Sequence, residues 1–140
     1  MRRGGLARAA VSMTLAPVAA AAKPAPRPDW TRTFAATPEG GFRMGNPKAK
    51  VAIVEYASLT CPHCRHFAED AVKPLIQQYV RTGKASYEYR SYVLNGIDLA
   101  ATMVARCGGP SRFFPIAEEL YARQPSWAGK VDALPKAEQD

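Results

Sequence analysis

Three cysteines and two histidines are all that this 140-residue sequence offers. Cys61 and Cys64 lie too close together to staple distant segments, and an odd count leaves one thiol without an intramolecular partner. A structural zinc site wants four ligands, and there is no second C-x-x-C and no H-x-x-x-H to complete one around Cys61, Cys64, Cys107 and His63 or His66. No apolar run reaches the about 20 residues of a spanning helix. Basic residues outnumber acidic ones, 19 to 12, yet they are scattered among the acids rather than clustered with aromatics. A solvated surface explains them better than a nucleic-acid footprint does. No internal repeat occurs.

What is present suits one globular domain: 47% of residues are hydrophobic and 9% aromatic. Residues 1–22 differ from the rest. "MRRGGLAR" is basic without an acid, "AAVSMTLAPVAAAA" is mildly apolar, and Ala20 to Ala22 resemble a small-residue cleavage site, so this segment reads as an export signal peptide. Arg2, Arg3 and Arg8 carry three of the seven net positive charges, leaving +4 for residues 23–140. Residues 23–40 hold "KPAPRPDW" and read as an extended linker. The domain is expected over 41–127, with a polar tail over 128–140.

Within that domain, Phe42 to Met44 suggests a short edge strand, and "VAIVEY", Val51 to Tyr56, has the composition of a strand covered on both faces, interrupted by Glu55. A helix should open at Pro62, which suits a first helical position, and end near Gly83. Its apolar stripe combines Phe67, Ala71, Leu75 and Tyr79 with Ala68, Val72, Ile76 and Val80. Pro74 predicts a kink. Ala85 to Leu94 reads as a second strand, so the strand–helix–strand unit should be right-handed with parallel strands. Asp98 is a candidate cap for a helix running to Cys107, where a face shared with Leu99 and Met103 suggests a buried structural thiol. A last helix is expected from Pro115 to Arg123.

The chemistry concentrates in "SLTCPHCRHF", Ser58 to Phe67. Between a strand and a helix, Cys61 stands at the helix's positive end, where free N–H groups favour a thiolate, and Cys64 follows one turn later on the same face. A protonated His63 would add to the field at Cys61 and lower its pKa. Covalent haem attachment needs histidine directly after the second cysteine, and residue 65 is Arg65. His66 points away from the apolar stripe, as a surface residue. Metal carriage by the two thiols, and two incidental helix cysteines, stay open as lesser readings.

"VEYASLTCPHCRHFAED" resembles the active-site segment of the thioredoxin superfamily, and its Pro-His dipeptide is similar to that of the DsbA-like thiol oxidases. The resemblance implies an α/β thioredoxin-like fold with a helical insertion. It also implies that Cys61 is the nucleophile, Cys64 the resolving thiol and His63 a stabiliser of the reduced form. Glu55, six residues before Cys61, resembles the family's buried acid and would exchange a proton with Cys64; an acid facing solvent is the plainer alternative. No cofactor is implied. The partners would be reduced substrate proteins and a separate redox partner that recycles the disulfide, in the periplasm, with no nucleic acid and membrane contact only through the signal or that redox partner. Alternatives are a reductase or isomerase, a non-catalytic fragment and a metal-binding module. The resemblance fades after about Trp127, where a strand–strand–helix portion would follow. The strand at Val51 is therefore expected to lack its second neighbour and leave an edge and apolar surface open.

Overall fold

The computed structural model describes residues 28–130, so the segment read as an export signal lies outside the described residues. Four strands form one sheet: β1 (Phe34–Ala36), β2 (Phe42–Gly45), β3 (Val51–Ala57) and β4 (Ala85–Ser91), in the order β1-β2-β4-β3. β3 and β4 are parallel, as expected of the strand–helix–strand unit, with Ile53 opposite Tyr87 and Glu55 opposite Tyr89. The other two pairings are antiparallel.

Two strand expectations change. Phe42–Gly45 is an interior strand, because β1 covers its outer side; β1 and the helical turn Trp30–Arg32 lie in the segment read as a linker. Three residues beside a proline-rich stretch are too few to show a period of two, so only the pairing reveals them. β4 is the strand buried on both faces, from Ala85 through Tyr89; β3 lies at an edge of the described sheet, as expected, but is not covered on both faces and exposes Val51, Val54 and Tyr56. Apolar composition says what a strand can bury, and the neighbours decide what is buried.

Residues 62–80 form the long helix α1, capped at its start by Cys61 and opened by Pro62. Pro74 does not break it. The turns on either side, Ala68–Val72 and Ile76–Val80, widen to π-helix, so that the Lys73 N–H reaches the carbonyl of Ala68, five residues back. Widening makes room for the proline ring and its missing donor. Val72 and Val80 are buried and Ala68, Leu75 and Ile76 pack partly buried against the core beside them; Phe67 and Tyr79 lie outside, each about half exposed (50% and 49%). Gly83 ends the helix at φ +76°, a left-handed position that suits glycine.

Helices α2 (Gly96–Cys107) and α3 (Pro110–Ala122) follow, then the short α4 (Gln124–Trp127) and a single turn, Ala128–Lys130, within the stretch read as a polar tail. "GGP" stops α2 as expected and also opens α3, five residues earlier than the sequence suggested. Pro110 takes a position in the first turn, where no N–H is needed. The α2 cap is Asn95, whose side chain accepts the Asp98 N–H at 2.8 Å. Asp98 itself is fully buried.

α1 and α3 cover one face of the sheet. Phe113, Ala117 and Tyr121, spaced by one turn, point down from α3 onto Phe42, Met44, Tyr87 and Tyr89. Phe113 lies 5.0 Å from the rings of both Phe42 and Tyr89. α2 buries its small residues Ala101, Thr102 and Ala105, leaving Leu99, Met103 and Val104 outside. Cys107 shares that outer side and is exposed, not a buried structural thiol. On an alanine-rich helix both sides look apolar, and close helix contact selects the side with the smaller residues.

Candidate functional site

β3 delivers the chain into a short loop, residues 58–61, from which α1 starts. Cys61 keeps extended backbone angles (φ −77°, ψ 119°) while its sulfur accepts the Cys64 N–H at 3.4 Å. The thiolate-favouring end of the helix is therefore occupied by the cysteine's own side chain acting as the cap. Partial burial is the largest single influence on the Cys61 thiol and pushes its pKa up. Hydrogen bonds from the Cys64 N–H, the Cys64 thiol and the His63 N–H outweigh it, and the thiol titrates below its ordinary range. Cys64 goes the other way: burial first, then its hydrogen bond to Cys61 and the charges of Cys61 and Glu55, push it up to about 11 despite the Ser58 N–H. Both thiols are free in this structure. The arrangement splits the pair, with Cys61 the more easily ionised thiol and Cys64 the more firmly protonated one.

The group that His63 brings to the Cys61 sulfur is its backbone N–H; its imidazole is exposed. His66 is exposed too, with Nε2 3.3 Å from an Arg65 guanidinium nitrogen. Glu55 faces the helices because residues 53, 55 and 57 share the side of the sheet that carries Tyr87 and Tyr89. Burial raises its pKa, moderated by the hydrogen bond it accepts from the Tyr87 hydroxyl. Among the described residues, no three His, Cys, Asp or Glu side chains converge as metal ligands.

Replacing Glu55 by glutamine carries an expected pH signature. A carboxyl with a raised pKa keeps its stability contribution below the unfolded-state value and loses it as pH rises through the folded-state value. Glu55→Gln should therefore match wild type in acid and exceed it in melting temperature at neutral pH, while the Cys64 titration moves down. Equal melting curves across the pH range would refute the buried setting of this acid.

Four side chains that sequence reasoning missed, or placed differently, hold the loop. The Tyr89 hydroxyl donates to the carbonyl of Ala57 and the Tyr121 hydroxyl to that of Ser58, both at 3.1 Å, and the two hydroxyls lie 3.0 Å apart. Asp98 accepts the Leu59 N–H at 2.9 Å and the Leu94 N–H at 3.0 Å. The buried Gln124 amide donates to the carbonyls of Leu59 (2.8 Å) and Cys61 (3.0 Å). A buried loop with no ladder of its own needs such partners. Tyr89 had a signal in its strand's alternation. Tyr121 and Gln124 had none, since their loop partners are 63 to 65 residues away.

A strand that feeds a cysteine pair at a helix start, beside a parallel β–α–β unit, defines a thioredoxin-like protein with a C-x-x-C dithiol. Residues 37–140 match the family model described as thioredoxin, and the chain belongs to that family. Among curated proteins it is 34% identical over 86 residues to a protein of Rickettsia bellii provisionally named protein-disulfide oxidoreductase, covering 61% of this chain and 33% of the relative. Among solved structures it is similar to a protein-disulfide isomerase from Novosphingobium aromaticivorans, with 35% identity and a TM-score of 0.66 over 71% of this chain and 50% of that one. It is also similar to alpha-DsbA1 of Wolbachia pipientis, with 32% identity and a TM-score of 0.58 over 61% and 43% of the two chains. The chain thus spans about a third of the curated relative and about half of the structural ones. The resemblance to DsbA-like proteins and the thioredoxin-like α/β fold are borne out.

Proposed function

We propose that this protein is an exported thiol–disulfide oxidoreductase that introduces disulfides into reduced substrate proteins. The observation that carries this reading is the asymmetry of the pair, with Cys61 held below the ordinary thiol range and Cys64 up to about 11. In the oxidised state a substrate thiolate attacks the Cys61 sulfur, the Cys61–Cys64 bond breaks, and Cys64 leaves as a thiolate that takes up a proton. A second substrate thiolate then attacks the substrate sulfur of the mixed disulfide and Cys61 leaves as a stable thiolate. The substrate is oxidised by two electrons and the pair is reduced. A low-pKa leaving thiol drives this direction, and stabilising the reduced form makes the disulfide a stronger oxidant.

Glu55 is the group that supplies the proton to Cys64, in keeping with its burial and its electrostatic influence on that thiol. His63 stabilises the reduced state through its backbone N–H, with its imidazole adding to the field when protonated. A separate oxidant restores the disulfide, and the basic, mildly apolar opening of the sequence supports a periplasmic setting.

The test is equilibration of the full chain with glutathione buffers, combined with refolding of a reduced, unfolded substrate by the oxidised chain. A strongly oxidising potential and stoichiometric disulfide transfer are expected. Failure to transfer a disulfide would refute the proposal. The name of the Novosphingobium structure favours an isomerase as the second reading, and faster rescue of a scrambled substrate than oxidation of a reduced one would select it.

A further inference from the structure

Gln124 occupies a place that the dithiol chemistry does not by itself explain. It begins α4, is 3% exposed, and carries two amide hydrogens on one planar nitrogen. One hydrogen goes to the carbonyl of Leu59 and the other to that of Cys61. The same Cys61 carbonyl accepts the Arg65 N–H at 3.1 Å, the first intrahelical bond of α1. Among the described hydrogen bonds, Gln124 is the only side chain that reaches the backbone of Cys61. Asp98 grips the other side of Leu59 through its N–H. The residue two before the nucleophile is thus fixed at both peptide groups, and the nucleophile's own carbonyl is held from two directions.

Geometry makes this matter to the sulfur. Cys61 is the cap, so its ψ angle sets where Sγ stands relative to the N–H groups of His63 and Cys64. A carbonyl pinned by both the helix and Gln124 leaves that angle little freedom. We infer that Gln124 is a positioning residue for the nucleophile, acting through the Cys61 carbonyl to keep the sulfur aimed at the helix N–H groups. This rests on the thiol–disulfide reading above and extends it to the helical segment, which takes part in setting thiolate reactivity.

The experiment uses the full reduced chain with Cys107→Ser, which removes the exposed competing thiol. The rate of iodoacetamide alkylation of Cys61 is followed against pH in wild type, Gln124→Met and Gln124→Glu. Methionine keeps length and apolar packing but donates nothing. Two hydrogen bonds are lost in Gln124→Met; the one at the Cys61 carbonyl should move the profile to higher pH and lower the rate in weak acid roughly three- to tenfold, the range expected for that single bond. Gln124→Glu should also move the profile to higher pH, since a buried carboxyl facing two carbonyls has at most one proton to donate where the amide has two. A residue of purely structural importance would lower the melting temperature and leave the profile in place; unchanged profiles in both folded variants would overturn the inference.

A measurement on the unmutated protein stands beside these variants. The Gln124 side-chain amide protons should exchange with solvent more slowly than those of the exposed Gln77 and Gln78, and equally fast exchange would overturn the inference without any variant. An ordinary wild-type alkylation profile would fail at the earlier step, since it would remove the thiol–disulfide reading itself.

Discussion

Disulfide transfer should fall by at least about a thousandfold when Cys61 is replaced by serine, the scale typical of losing a nucleophile. The reason lies in how the two thiols are divided. Cys61 has the sulfur that the helix N–H groups stabilise, whereas burial and the neighbouring Cys61 push the Cys64 thiol up to about 11. Without Cys61 the chain has no Cys61–Cys64 disulfide for a substrate thiolate to attack. Serine keeps the cap, because its oxygen accepts the same N–H, so the variant should fold and the loss should be chemical. Cys64→Ser carries the complementary expectation: with no Cys61–Cys64 disulfide to donate, transfer to reduced substrates is lost, whereas the Cys61 thiolate still attacks a substrate that already holds a disulfide and is trapped with it as a mixed disulfide. Transfer by Cys61→Ser within tenfold of wild type, with Cys107 also replaced, would place the chemistry elsewhere in the chain.

The largest effect on stability should come from Phe113→Ala, at about 3–5 kcal/mol. Phe113 is fully buried and packs against Phe42, Tyr89 and Phe114, with ring centroids 5.0 to 5.4 Å apart. Truncation removes the ring that joins α3 to the middle of the sheet and leaves a void beside Tyr89. A domain of this size has about 5–15 kcal/mol in total. The melting temperature should therefore drop by about 12 °C or more, measured by thermal and urea unfolding of the reduced chain. Because Tyr89 also holds the carbonyl of Ala57, reactivity at Cys61 should weaken along with stability. A loss below about 1 kcal/mol would mean that α3 contributes little to this core.

Some of this was legible in the residues. Cys61 and Cys64 were readable because their chemistry needs only a helix start and a three-residue spacing, both local. Pro62 and Gly83 bounded the helix through their own backbone preferences. Glu55 was readable as a lone acid in an apolar strand, although its partner Tyr87 was not. Cys107 misled, since Leu99 and Met103 are apolar and share its side of α2. The alanines on the other side make the closer contact, and the larger side chains stay outside. Asp98 misled differently. Its position suited a cap, but its carboxylate reaches the Leu59 N–H in the loop before Cys61, 39 residues earlier in the chain.

The sequence by itself determined the thioredoxin-like α/β class, the dithiol and the parallel strand–helix–strand unit that carries it. The class rests on the resemblance of the segment around Cys61 and Cys64 to that family; the dithiol spacing and the strand–helix–strand unit follow from a short motif, backbone preferences and hydrophobic periodicity, which act over one or two turns of chain. The tertiary structure decided that β4 and not β3 is the covered strand, that Cys107 is exposed, and that Tyr121, Asp98 and Gln124 hold the loop before Cys61. Those outcomes depend on which side chains meet across tens of residues, where a buried carbonyl or N–H takes whatever partner the packing brings within reach. Local preference sets the elements, but only packing selects the partners that hold the loop before Cys61.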